Sequence, residues 1–305
     1  MAFGTHSYVP DLRNGSVLFN VNGNIVPRER AVVNVFDSGF MLGDGVWEGL
    51  RVHAGQIAFL DDHMDRLWEG LAALHIDPGV SREDLVARIH ATLDANDMTD
   101  HVHIRLMVTR GLRSTPYQDP RVVVSPATIV IAPEFKQPDP ATAHRALTLK
   151  SVATRRGRAD VQDPGLNSHS KINCITACIQ GIDAGADEAI MLDPQGFVAT
   201  CNSTHFFIVR GGEVWTSTGD YCLGGITRLK VIQLCHANDI PVFERNFTLR
   251  HCYAADEAFT TGTFAGLAPV GTIDGRTVGT GERGPMVERL QGLYLDLIAS
   301  GAARP

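Results

Sequence analysis

The chain has 305 residues and a formal net charge of -7, with Lys and Arg scattered rather than gathered into a stripe. That length is too great for one small core and fits two domains of ordinary size, and the mild acidity without a basic patch argues against binding to nucleic acid or to a membrane surface. No apolar run reaches the length of a membrane span, and the start Met1-Ala2-Phe3-Gly4-Thr5-His6 lacks the basic and apolar regions of a signal peptide, so a cytoplasmic protein is expected.

From Ser16 to Val26 apolar and polar residues alternate around Asn22-Gly23, which predicts an antiparallel hairpin. A strand is expected at Val46 to His53, then a helix from Asp61 with Met64, Leu67, Leu71 and Leu74 on one face. A second helix, about Ser81 to Asn96, opens with the capping pattern Ser81-Arg82-Glu83-Asp84. Strands at His101 to Arg110 and Pro126 to Ala132 follow, and the prolines of Glu134-Phe135-Lys136-Gln137-Pro138-Asp139-Pro140 then break the periodicity. This places a linker at 136–144 between an N-terminal α+β domain (1–135) and a larger C-terminal domain (145–305).

The second half reads as a strand at Arg145 to Ala153, a helix around Lys171 that ends at Ala184-Gly185, and a hairpin from Glu188 to Val209. A strand at Glu213 to Ser217, a helix from about Thr227 to Asn238 and a strand at Ile240 to Asn246 complete the pattern. Six cysteines, all in this half, lack the spacing of a disulfide scaffold and read as free thiols. Cys174 and Cys178, with His169 nearby, have a spacing that suits a metal, but small apolar Cys is commoner in helix packing, and no metal is expected.

Leu223-Gly224-Gly225-Ile226-Thr227-Arg228 is a glycine turn that opens a helix, so the amides of Ile226 and Thr227 point from its positive end toward an anion. Alone, such a turn is an ordinary helix cap. Together with Phe36-Asp37-Ser38-Gly39-Phe40, Gly45-Val46-Trp47-Glu48-Gly49-Leu50-Arg51 and Asp163-Pro164-Gly165-Leu166-Asn167-Ser168-His169-Ser170-Lys171, it makes the chain resemble the fold-type IV pyridoxal-phosphate enzymes. That family includes branched-chain aminotransferases, D-amino-acid transaminases, (R)-amine transaminases and aminodeoxychorismate lyases.

The resemblance implies a two-domain mixed α+β fold with the cofactor between the domains, a homodimer, pyridoxal 5'-phosphate, and transfer of an amino group between an amino acid or amine donor and a 2-oxo acid acceptor. A lyase on the same scaffold is the alternative, as is a relative without the lysine linkage that binds a phosphorylated ligand. The resemblance assigns Arg66, Gly225, Ile226 and Thr227 to the phosphate, and Gly262 and Thr263 to a second phosphate loop within Phe259-Thr260-Thr261-Gly262-Thr263.

Two positions depart from the family pattern. Asn167 stands where the Schiff-base lysine belongs, counted from the Asp163-Pro164 turn and from the end of the following helix. Lys171, four residues on, is the expected catalytic amine: with both residues on the helix its Cα rises about 6 Å, and a side chain tilting back toward the N-terminus recovers part of that distance. An alignment that keeps Lys171 at the family position and shortens the next helix is the other possibility.

Thr200 stands where a glutamate normally meets the pyridine nitrogen, with Asn202, Ser203, Thr204 and His205 along the same edge. A hydroxyl hydrogen-bonds that nitrogen but does not hold it protonated as a carboxylate does. For the substrate the resemblance points to Arg105, Leu42 and Trp47. An arginine within an apolar strand calls for either a substrate carboxylate or a structural acid such as Glu48.

Overall fold

The computed structural model describes residues 4–301, so Met1-Ala2-Phe3 of the inspected start lie outside the described residues. The fold is mixed α+β and divides into two compact units. One comprises Val9–Gln137 with Leu166–Ser170; the other comprises the segment ending at Tyr8, Pro138–Gly165 and Lys171–Ser300.

The N-terminal unit is built on a six-stranded sheet of β1 (Leu18–Val21), β2 (Asn24–Pro27), β3 (Gly45–His53), β4 (Gln56–Ile57), β5 (Val102–Thr109) and β6 (Thr128–Phe135), in the order β2-β1-β6-β5-β3-β4. The Asn22-Gly23 hairpin forms as expected, with Gly23 at φ +87°. Alternation along β3 and β5 sends Val46, Glu48, Leu50, Val52, Ile104, Leu106 and Val108 into the core, leaving Trp47, Arg51, His103, Arg105 and Met107 on the half-buried opposite face. Helix α1 (Ser38–Leu42) precedes β3, and helices α2 (Leu60–Ala73) and α3 (Arg82–Asp94) cover the core face, α2 through Met64, Leu67 and Leu71 and α3 through Leu85, Ile89 and Leu93. Ser81 caps α3 by accepting from the Asp84 amide at 3.0 Å.

The C-terminal unit carries a nine-stranded mixed sheet of β7 (Leu147–Ser151), β8 (Glu188–Leu192), β9 (Val198–Cys201), β10 (His205–Arg210), β11 (Glu213–Thr216), β12 (Val242–Glu244), β13 (Glu257–Gly262), β14 (Gly266–Ile273) and β15 (Arg276–Thr277). The order is β9-β8-β7-β14-β13-β10-β11-β12, with β15 on β14; β7 runs parallel to β8 and β14, and β11 to β12. Helices α4 (Ile172–Asp183), α5 (Ile226–Ala237), α6 (Leu249–Tyr253) and α7 (Pro285–Ala299) complete it. Phe206, Ile208, Phe247 and Val270 share one core cluster. Along β10 the alternate residue Phe207 stacks on Phe259 of β13 with ring centroids 4.8 Å apart. The six cysteines are free thiols, and among the described residues no helix is long and apolar enough to cross a membrane.

Within the expected linker 136–144, Gln137–Pro138 is a two-residue strand and Pro140–Ala143 a 3-10 turn capped by Asp139. One expectation changes. Of Phe259-Thr260-Thr261-Gly262-Thr263, read as a phosphate loop, the first four residues belong to strand β13 (Glu257–Gly262), and only Thr263 lies beyond its end.

Candidate active site

In the N-terminal unit the site is organised around a buried carboxylate. Glu48, fully buried on the core face of β3, accepts from Arg66 Nε at 2.9 Å and from the same guanidinium at 2.6 Å through its other oxygen, and lies 2.6 Å from His63 Nδ1. Burial alone would raise the Glu48 carboxyl, but the His63 and Arg66 hydrogen bonds outweigh it and hold the group below its usual value. Burial likewise lowers His63, against the pull of Glu48, so the ring is neutral, Nδ1 donates to Glu48, and buried Nε2 has no partner.

A histidine kept neutral by burial stabilises the fold above its unfolded value of 6.5 and loses that contribution as pH falls below it toward the depressed folded value. The thermal midpoint is therefore expected to drop on acidification from pH 7 toward 5, and His63→Gln, which keeps a donor but does not titrate, should flatten that slope. Equal slopes in both proteins would remove His63 from the account.

On the opposite face of the sheet, Arg105 Cζ lies 3.6 Å from the Trp47 ring centroid. Gly49, opposite Arg105 in the β3–β5 register, leaves the room: a Cβ there would come within 3.2 Å of His103 Nε2. Burial draws Arg105 below its ordinary value, opposed by the charges of Glu134 and Glu48. The structural acid expected to bond Arg105 is thus otherwise engaged, since Glu48 faces the core and serves His63 and Arg66. Leu42 ends α1, 44% exposed.

Asn167 is not on the helix that carries Lys171, which corrects the helical-rise argument. Residues 166–170 instead run extended along β3: Ser168 bridges Val46, the His169 amide donates to Gly45, and the Trp47 amide donates to the Asn167 carbonyl. The buried Asn167 side chain donates to the Trp47 carbonyl at 2.6 Å, and Trp47 Nε1 donates to Ser168 at 3.1 Å. Asn167 therefore fixes the backbone of Trp47, and the Ser168 carbonyl fixes its indole. Lys171 is the N-cap residue of α4, half-buried, with φ -110° and ψ 12°.

In the C-terminal unit, α5 begins at Gly225 with no side chain capping it, which leaves its first amides directed outward. His205 Nε2 lies 2.7 Å from the Leu223 carbonyl, and a Cβ on Gly225 would fall 2.1 Å from His205 Cε1, so the turn closes over the ring only with glycine. Beside His205, the Thr204 methyl is 3.4 Å from where a Cβ on Gly262 would lie. The start of β10 thus brings the Gly225 turn and the Gly262-Thr263 end of β13 together. The Thr261 hydroxyl, on the strand leading into that end, is buried without a partner, while Thr227 Oγ1 lies 3.4 Å from the Tyr294 hydroxyl. Uncapped amides, a glycine cradle and hydroxyl donors suit a phosphate. Gly225→Ala should weaken cofactor phosphate binding by about tenfold or more, on the scale of a lost charge-assisted hydrogen bond; unchanged affinity in a titration with the cofactor would move the phosphate elsewhere.

Thr200 is buried and donates its hydroxyl proton to the Thr204 carbonyl at 2.8 Å. Asn202 Oδ1 accepts from the Ala189 amide at 2.8 Å, while Thr5, Ser203 and Thr204 donate to Glu188. Burial pushes the Glu188 carboxyl up, and those three hydroxyls oppose it. Glu188, His63 and the Thr261 hydroxyl, which bond to or adjoin the assigned residues, carry no assignment from the sequence; an acid opening an otherwise apolar strand is the one signal for Glu188.

Residues 45–273 match the model of amino-transferase class IV. The chain belongs to this family. Among class IV relatives, the branched-chain-amino-acid aminotransferase-like protein 2 of Arabidopsis thaliana is 39% identical over 289 residues, covering 95% of this chain but 52% of that protein. The chain thus spans about half the length of the first curated relatives it matches. A putative branched-chain-amino-acid aminotransferase of Methanocaldococcus jannaschii is 37% identical, covering 91% of this chain and 95% of the relative. The crystal structure of the branched-chain aminotransferase from the thermophilic archaeon Thermoproteus uzoniensis, solved with norvaline, superposes with a TM-score of 0.83 at 29% identity, covering 93% of this chain and 96% of that one.

Proposed function

We propose that this class IV chain is a pyridoxal 5'-phosphate-dependent aminotransferase that moves an amino group between an amino acid or amine and a 2-oxo acid. The observation that carries the reading is the uncapped, glycine-closed start of α5 beside the end of β13, together with family membership across residues 45–273. When bound, the cofactor supplies an electrophilic carbonyl carbon and a ring that withdraws electrons from the substrate's α-carbon.

The protein's part is divided among residues of different character. The amides of Ile226 and Thr227 with Gly262-Thr263 would hold the phosphate; Arg66, which the resemblance also assigns to it, has its direction fixed within its own unit by Glu48 and, through it, His63. Lys171 Nζ would be the amine that holds the cofactor and, once the substrate's own amine had displaced it, would be free to carry the proton from the substrate α-carbon. Arg105 over Trp47 would take a substrate carboxylate, and Leu42 is assigned to the substrate by the resemblance alone. Thr200, having given its proton to Thr204, offers the pyridine nitrogen only an acceptor, which predicts a weaker electron sink than a carboxylate partner gives.

The same reading includes a cytoplasmic homodimer. Ile172, Ile175, Ile179 and Ile182, spaced along one face of α4, are 50–74% exposed, an apolar stripe of the kind that a second copy covers. Light scattering should give twice the chain mass of 33.1 kDa.

The test is to load the protein with the cofactor and follow its absorbance as an amino donor is added. A shift reversed by a 2-oxo acid supports the transaminase; pyruvate released without an acceptor means a lyase. The engagement of Asn167 with Trp47 and of Thr200 with Thr204 favours as second reading a phosphate-ligand binder without the lysine linkage, for which the spectrum would not respond to any donor.

A further inference from the structure

The N-terminal unit holds a second cleft, of about 470 Å³, within the range of small-ligand sites. Its wall is aliphatic, from Val21, Val32, Val33, Val80, Leu112 and Ile129. Arg88 of α3 is the one charged residue lining it. That side chain is half-buried and makes no ion pair among the described residues, even though Asp84 stands one helical turn earlier; the bond it does make is through its backbone carbonyl, which accepts from Thr92. The guanidinium stands at the hairpin turn, with Cζ and Nη1 3.5 Å from where a Cβ on Gly23 would lie, and a half-buried arginine without an ion pair calls for an anion.

The other polar groups of the cleft have the same sense. Asn22 Oδ1 accepts from the Ile129 amide and Asn34 Oδ1 from the Phe36 amide, which fixes both carbonyl oxygens and leaves the two NH2 groups as donors. The Ser125 hydroxyl accepts from the Leu112 amide and donates to the Pro126 carbonyl, so it is saturated from within. Arg88, the two amide NH2 groups and the Thr128 hydroxyl, with no acid and an aliphatic wall, do not suit a cation. The branched side chains beside the single arginine leave a place for an aliphatic tail, which a bare phosphate would not fill.

We propose that this cleft binds a small monocarboxylate with a branched or linear aliphatic tail, the carboxylate on Arg88 and the tail against Val32, Val33 and Leu112. None of these residues belongs to the phosphate or substrate assignments above, so the site stands whether or not those hold. Leu112 is paired with Asp37, and the Phe36 carbonyl accepts from the Arg113 amide, which ties the cleft to the segment leading into α1 and Leu42.

The test is calorimetric titration of the full chain with 4-methylpentanoate, with 4-methylpentanamide as the uncharged control, on the parent protein and on Arg88→Gln and Arg105→Met. The proposal expects carboxylate binding that the amide does not reproduce, weakened by about tenfold or more in Arg88→Gln at an unchanged thermal midpoint, and retained in Arg105→Met. A crystal soaked with 5-bromopentanoate should place the bromine among Val32, Val33 and Leu112. Equal affinity in Arg88→Gln, loss in Arg105→Met, bromine elsewhere, or binding at crystal concentration only would each overturn it.

Discussion

Lys171→Ala is expected to abolish covalent attachment of the cofactor and to lower transamination by ~10²–10⁴-fold, the range associated with losing a positioned acid-base group. Asn167, at the position where the family pattern places the lysine, has no amine, and its side chain is held on the Trp47 carbonyl. Lys171 is the residue that starts α4, at the end of the extended segment rather than a helical turn along it. Phosphate affinity should survive in Lys171→Ala, because the α5 turn is untouched. Adding Asn167→Lys to that background should restore the link to a lysine at the family position; a folded double variant with no cofactor binding would refute the register argument.

Glu48→Leu should destabilise the protein by about 3–5 kcal/mol, the cost of removing one partner from a buried ionic set. The substitution leaves Arg66, with a side chain only 14% exposed, and the buried His63 without their shared acceptor. Replacing both members in Glu48→Leu with Arg66→Met should recover much of that loss, because an apolar pair of similar volume has no charge left to desolvate. The same double variant should bind the cofactor phosphate more weakly than the parent. Chemical denaturation and cofactor titration on the three proteins separate the two roles, and a single Glu48→Leu with an unshifted midpoint would contradict the buried network.

What the sequence revealed follows from the range of the interactions concerned. The Asn22-Gly23 hairpin, the Ser81 cap and the buried face of α2 depend on neighbours within a few residues, and all three form as read. The fate of Asn167 does not, because its partner Trp47 lies 120 residues away, and pairing across that separation turned an expected helical start into a segment bridged to β3 at Ser168. Glu188 is similar: Thr5, Ser203 and Thr204 converge on it only once the sheet is assembled. Thr260 and Thr261 read as loop residues from the family resemblance alone, although β-branched Thr favours strands, and both are fully buried in β13. The Gly225 turn was legible because its chemistry is backbone chemistry, set by glycine spacing before a helix.

Borohydride reduction of the protein incubated with pyridoxal 5'-phosphate, followed by peptide mass mapping, tests the central claim most directly. The account predicts a phosphopyridoxyl group on the peptide containing Lys171 and on no other lysine. A label on a different lysine, or none on a protein that still binds phosphate, would contradict it.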